Sequence, residues 1–316
     1  MLSLPNLLTR LPAGVAQGIV WGVMALGVYI TFRLLDVADL SVDGTFATGG
    51  AVAVMLMLSG APGWAALLAA AAVGVACGLC TGLLHTKLGI PAILAGILTQ
   101  FALYSINLRI MGKSNQTASV KKFGLFWETK GRGFLLSSLY IPQAILVGLL
   151  LTALVIAALY WYFGTEQGSA LRATGANPHM SRALGINVGN MKLIGLALSN
   201  GLVALSGALM TQFQGTADVN MGRGAIVIGL AAIVIGEVLC DVCFRKGANF
   251  AVRLAFVVLG GVVYYLVMVL ILWLRLDPND LKLFTALIVA LFLAVPHLRA
   301  QRRESAVRRR TAGKEA

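Results

Sequence analysis

Apolar residues run in long blocks along this chain, and polar residues collect between them. About nine blocks reach or approach the ~20 residues that a helix needs to cross the roughly 30 Å hydrocarbon layer of a bilayer. They are 13–35, 44–59, 62–84, 91–111, 139–163, 191–214, 223–240, 250–274 and 281–298. The pattern predicts an all-α fold, a polytopic bundle of transmembrane helices, because a helix satisfies its backbone polar groups internally where water is absent. The second block is short and opens in the polar string DVADLSVDGTF, 36–46. That combination predicts a broken or re-entrant helix, tolerable only where other protein covers its backbone. Pro91 and Pro142 fall near block starts, where a missing N–H costs least. The organisation expected is one membrane domain over 1–298, interrupted by a polar segment at 164–190, and a basic tail at 299–316.

Composition agrees with the blocks. The 316 residues are 59% hydrophobic and 12% charged, with a mean hydropathy of +0.86, whereas a soluble domain carries about 25% charge. The opening MLSLPNLLTRLPAGVAQ lacks the basic start and small-residue cleavage site of a signal peptide, so the first block is expected to be kept. The tail after the last block holds seven Lys and Arg, which places it in the cytosol by the positive-inside rule. Nine crossings then put the N-terminus outside and 164–190 inside. The basic KSNQTASVKKFGLFWETKGRG, 113–133, loads the outer side against this trend. The net charge of +13 is mostly this topology signal. Nucleic acid is not an expected partner, since no soluble basic domain presents the charge. Membrane lipid is.

Small residues recur at four-residue spacing: Gly14, Gly18 and Gly22 on the first block, Gly74, Gly78 and Gly82 on the third. Such faces let helix backbones approach closely, either inside one bundle or across a dimer seam. Other strings point to chemistry and do not sustain it. MGKSN at 111–115 ends like a phosphate-binding loop, but position 107 is Asn where that loop needs Gly, and an apolar helix leads in where it needs a strand. CGLC at 77–80 and CDVC at 240–243 have zinc-ligand spacing, yet Cys77 and Cys80 lie inside an apolar block where a thiolate is costly. His85, at a block end, reads as a hydrated surface group. His85, His179 and His297 suggest no nucleophile–base set. No metal, cofactor or catalytic residue is therefore expected in this chain.

Polar groups inside spans are costly and usually functional or paired. Gln100, Tyr104 and Asn107 lie at i, i+4, i+7 on the fourth block; Gln212 follows Ser199 and Asn200 on the sixth. Gln100, Tyr104, Asn107, Asn200 and Gln212 are the candidate solute pathway. Uncharged amides and a tyrosine suit a zwitterionic or neutral amphipathic solute better than an ion. The acids within blocks, Glu237 foremost, fall near block ends, and Glu237 is expected to pair with Arg172 or Arg245.

One stretch fits none of this: LRATGANPHMSRALGIN, 171–187. Its punctuation is that of a very short helix over 178–184. Asn177 suits the cap, Pro178 the first helical position, and Gly185 the left-handed position just past the end. Met180, Ala183 and Leu184 share one face by i, i+3, i+4 spacing, with His179 and Arg182 on another. About seven residues make about 10 Å of helix, far short of a bilayer. A short helix with an apolar ridge and a basic flank is suited to docking in a partner's groove.

The string GSALRATGANPHMSRALGINVGNMK, 168–192, resembles the cytosolic loop of permease subunits in the branched-chain amino acid and ribose class of ABC importers. The match lies at Arg172, Ala173, Gly175, Asn177, Pro178, Arg182, Gly185 and Ile186; Ser181 stands where the class usually has Ala. LSVDGTFATGGAV, 40–52, is similar to a second segment of the class, with Asp43 and shifted glycines as departures. Residues 198–237 look closer to a subfamily linked to tryptophan- and tyrosine-type uptake. The resemblance implies that 178–184 is a coupling helix meeting a separate ABC ATPase subunit, with Met180 and Leu184 as the docking ridge. It also implies an extracytoplasmic solute-binding protein, a second permease copy as a homodimer, and ATP held on the partner. A secondary transporter and an ABC exporter or lipid-handling permease are the other readings of the blocks. Neighbouring genes for a binding protein and an ATPase would separate them.

Overall fold

The computed structural model describes residues 4–118, 124–125, 133–244 and 247–273, with the isolated positions 283, 286, 287 and 290. The ninth block, 281–298, and the tail, 299–316, lie outside the described residues apart from those isolated positions, as does Arg245. The fold is an all-α polytopic bundle. Helix α1 (Leu4–Tyr29) runs on through a π-helical turn (Ile30–Leu34). There follow α2 (Val42–Leu58), α3 (Gly63–Thr86), α4 (Ala92–Met111) and α5 (Ile141–Gly164). Two short helices, α6 (Glu166–Ala176) and α7 (Pro178–Ala183), precede α8 (Val188–Gln214), α9 (Ala225–Phe244) and α10 (Phe250–Trp273). Seven helices among the described residues are long and apolar enough to cross a membrane; α2, at 17 residues, is shorter.

The centre of the bundle is α1 and α8, whose apolar stretches are 83% and 72% buried, against 28% for α4 and α5. The glycine faces explain how the centre closes. A Cβ at Gly18 would meet the Val262 backbone at 2.5 Å, and one at Gly22 would meet Val258, so α1 lies directly on α10. Gly74 and Gly78 bring α3 onto α8 at Asn200 and Leu196. Both stripes are therefore spent inside one chain, and neither is a dimer seam.

Two helices start within the bundle. Ser41 immediately precedes α2, and its Oγ lies 3.2 Å from Asn200 Oδ1, near the midpoint of α8. The polar opening of the second block is a non-helical lead-in to a helix that starts inside the bundle, the broken form of the two its sequence suggested, and α2 rises from mid-bundle toward the end where Gln212 meets Gly63. Helix α9 begins beside it: Gly222 packs on the Asp43 carbonyl, and Gly224 (φ +85°) turns the chain into the helix. Two features escaped the apolar pattern. Residues 166–176 form a helix of their own, capped by Thr165. Strand β1 (Asn115–Thr117) pairs antiparallel with β2 (Thr216–Asp218), tying the ends of α4 and α8 together. The MGKSN string is the left-handed cap of α4 at Gly112 (φ +70°) and the lead into β1.

Candidate functional site

The two mid-bundle helix starts and the face of α4 enclose a cavity of about 380 Å³. Helix α2 supplies Asp43 and Gly44; α4 supplies Gln100, Phe101, Tyr104 and Asn107; the turn before α9 supplies Val219, Asn220 and Arg223. Gly44 is needed because a Cβ there would stand 3.0 Å from the Gln100 Cα. The Asp43 carboxylate accepts from Gly224 N at 2.9 Å and Ile226 N at 3.1 Å. These are two of the N–H groups that a helix start leaves unpaired, and an anion there is also favoured by the helix dipole. Asn107 is completely buried, and neither its Oδ1 nor its Nδ2 has a hydrogen-bond partner. Phe101 and Tyr104, 71% and 42% exposed, stand on the open side.

The helical spacing that joined Gln100, Tyr104 and Asn107 brings all three to this cavity. Asn200 and Gln212 go elsewhere. Asn200 donates to Asp39 Oδ2 at 2.7 Å and to Leu196 O at 3.0 Å, fully buried. Gln212 donates to Gly63 O at 2.8 Å and accepts from Leu135 N at 3.1 Å. Both pin elements together, and both lie outside the cavity lining. The acids are also not confined to block ends. Asp39 is buried at mid-bundle, accepting from Ser41 N, Ser41 Oγ and Asn200 Nδ2. Asp43, Asn220 and Arg223 are polar cavity residues that sequence spacing did not find; the one signal, for Asp43 alone, was the polar opening LSVDGTF.

At the other end of the bundle Glu237 pairs with Arg33, Nε to Oε1 at 2.8 Å, a close contact whose angle falls outside a hydrogen bond's. Arg172 is not its partner. It donates to Phe163 O at 2.8 Å and lies over the Phe250 ring at 5.8 Å. A wider cleft of about 560 Å³ opens there, between Tyr160, Trp161 and Phe250, but its arginine is thereby engaged. His85 is half-buried rather than freely hydrated: Nδ1 lies 2.9 Å from Ile90 O and Nε2 lies 3.4 Å from Lys192 Nζ. The four cysteines are free, and no metal-binding cluster of His, Cys, Asp or Glu occurs among the described residues.

The short helix has the predicted punctuation. Asn177 Oδ1 accepts from Met180 N at 3.0 Å, Pro178 opens α7, and Gly185 has φ +82°. Gly185 N donates to Arg182 O and Ile186 N to Ser181 O, which closes the helix end. Ser181 is the buried face; its Oγ donates back to Asn177 O. Met180 and Leu184 are 61% and 67% exposed, side by side with exposed Arg182. The base of this unit is fixed. Gly175 packs on the Leu34 carbonyl so closely that a Cβ would collide with it, and the Leu35 side chain fills the space at Gly195 and Leu171.

An α-helical membrane bundle with a polar cavity at broken helix starts and an exposed short helix at one end has the form of a transporter's membrane subunit. The chain belongs to the family described as branched-chain amino acid transport system / permease component, whose profile matches residues 11–296. It is similar to the tyrosine transport system permease protein of Clostridioides difficile (strain R20291), 39% identical over 89% of this chain and 90% of that one. It is also similar to the ribose import permease protein RbsC of Escherichia coli (strain K12), 28% identical over 68% of this chain and 64% of that one. A third relative is the nucleoside ABC transporter permease protein NupC of Lactococcus lactis subsp. cremoris (strain MG1363), 31% identical over about half of each chain. No solved structure matches. The protein is the multi-pass permease component of an ABC transport system.

Proposed function

We propose that this permease imports an amino acid, with the cavity between α2, α4 and α9 as part of the solute route and α7 as the contact to a separate ATPase. A binding protein delivers the solute from outside, and a second copy completes the pathway. The exposed apolar face of α4, Ile93, Leu94, Leu98 and Phe101, is where that copy fits. Residues 164–190 and the C-terminus face the cytosol.

The observation that carries the coupling is the exposed Met180–Leu184 ridge on a fully capped helix. A water-facing apolar pair on a rigid base favours a partner groove over a surface loop. Motion of α7 reaches the cavity through packed contacts: Gly175 on Leu34, then Asp39 and Ser41 on Asn200, then Asp43 on the α9 start. Switching of this kind needs contacts that differ between two states, and broken helix starts are suited to supplying them.

The test is the double substitution Met180→Ala with Leu184→Ala. Each truncation removes about 1.5–3 kcal/mol of burial if the ridge is seated in a groove. The permease should insert normally, lose the ATPase on co-purification, and lose solute-stimulated ATP hydrolysis. Full ATPase binding and full uptake in the double variant would return the segment to an unpartnered surface loop.

A further inference from the structure

We propose that the mid-bundle cavity recognises its solute as a zwitterion, Arg223 taking the carboxylate and Asp43 the ammonium group of an α-amino acid. The inference rests on the reading of the chain as an amino-acid permease and adds which groups make the choice.

Asp43 and Arg223 line one cavity yet do not pair with each other; among the described residues the ion pair is Arg33 with Glu237. Two opposite charges that line one cavity with no ion pair between them leave a positive and a negative position for a ligand. Asp43 is not used up by capping α9. A carboxylate has about four acceptor positions, and Gly224 N and Ile226 N occupy two. Arg223 is exposed to the cavity mouth, and a guanidinium presents a planar fork matched to a carboxylate.

Asn107 is the independent observation. A completely buried amide with both polar atoms unpartnered is rare, because desolvation without a partner is costly. It lies in the wall of the same cavity. It offers one acceptor and two donors, so it can bond either charged end of a solute or a polar side-chain group. Phe101 and Tyr104 on α4 are positioned to flank an apolar or aromatic side chain. Other solute classes meet the cavity badly. A neutral sugar satisfies the amide and leaves both charges desolvated and unpaired. A simple anion pairs Arg223 and is repelled by Asp43; a simple amine has the opposite fault. Burying a charge without its partner is the expensive arrangement, and a zwitterion avoids it at both ends.

The experiment uses the full-length permease with its ATPase in nanodiscs and reads maleimide alkylation at position 220 of the Asn220→Cys protein. Peptide mass spectrometry separates that site from the native exposed Cys80 and Cys243. Four probes are compared at equal concentration: L-tyrosine, tyramine, 3-(4-hydroxyphenyl)propanoate and ribose. L-Tyrosine should slow alkylation and the other three should not. Adding Arg223→Gln or Asp43→Asn should raise the half-protecting concentration about tenfold, the factor a charge-assisted hydrogen bond supplies. Asp43→Asn keeps one of the two side-chain oxygens that accept at the α9 start and turns an NH2 toward the other N–H, so its insertion is checked first. Should it not insert, Arg223→Gln decides, since that side chain is exposed and carries no ion pair. Equal protection by ribose or by either singly charged analogue overturns the proposal, as does undiminished protection in Arg223→Gln. Labelled L-tyrosine uptake by the complete system separates the two readings. Uptake without protection overturns this inference and leaves the proposed function standing; protection without uptake does the reverse.

Discussion

Residues 177–186 draw their order from one another, whereas the cavity around Asn107 draws its order from across the chain. In the first region every fixing bond closes within five residues: Asn177 to Met180, Ser181 to Asn177, Gly185 to Arg182 and Ile186 to Ser181. In the second, Asp43 reaches partners 181 and 183 residues away. The first leaves apolar side chains exposed; the second leaves polar groups facing protein. Each is costly where it stands, and each points to a ligand of the opposite kind. An exposed apolar ridge fits another protein, and an unpaired amide beside two charges that do not pair with each other fits a polar solute. The base of the first region is fixed to the bundle by Gly175 on Leu34, among other contacts, and the largest expected effect lies there.

Gly175→Val should damage both regions together. A Cβ at 175 collides with the Leu34 carbonyl and crowds Leu35. Neither neighbour is a flexible side-chain end, so α6 must move off the end of α1. Overpacking of this sort costs about 1–3 kcal/mol or more. Expected are a lower unfolding midpoint in detergent and lost uptake even where ATPase remains bound. Wild-type stability and uptake would mean that α6 moves freely against α1 and that force does not pass through this contact.

A sharper comparison sets two amides against each other. Gln212→Leu should destabilise by about 2–5 kcal/mol, because the Leu135 N–H and the Gly63 carbonyl both lose a buried partner. Asn107→Leu orphans nothing, since neither atom of the amide is bonded. It should leave stability unchanged or raise it by about 1 kcal/mol, while uptake falls about tenfold. Denaturant unfolding of both variants beside vesicle uptake makes the check. A large stability loss in Asn107→Leu would make that residue a structural amide like Gln212.

How much of this was legible in the chain follows the same division. Seven of the apolar blocks became helices close to their expected bounds, and the first became a helix that starts well before its block, at Leu4, because burial in lipid and the backbone's need for internal hydrogen bonds act on each block separately. The caps of α7 were legible because Asn, Pro and Gly act on their immediate neighbours. Gln100, Tyr104 and Asn107 were legible as a set through helical spacing. Asn200 and Gln212 look the same as these in sequence and differ only in what surrounds them: Asp39 beside one, Gly63 and Leu135 beside the other. Asp43 and Arg223 carried no local sign of sharing a wall, since the turn at Gly222 and Gly224 that joins them is set by packing on Asp43 itself. The Arg33–Glu237 pair was hidden in the same way. Helix α6 was missed because its length and polarity match a loop, and its Thr165 cap was read as part of that loop.

The smallest expected effect tests whether the local region is as self-contained as its bonds suggest. Asn177→Ala removes the side-chain acceptor of the Met180 N–H and nothing else, since Asn177 is exposed and makes no contact with the bundle through that atom. Pro178 contributes no N–H, and α7 has only six residues, so no later turn compensates. Loss of such a cap costs about 1 kcal/mol. That should fray the ridge before docking and weaken ATPase affinity about fivefold, with membrane levels and cavity protection unchanged. Asn177→Asp keeps an acceptor and should restore affinity. Amide hydrogen exchange at Met180, read beside ATPase titration, gives both quantities in one preparation. Faster exchange with undiminished affinity would show that the ATPase groove itself imposes the helix, and that the preformed cap contributes nothing to docking.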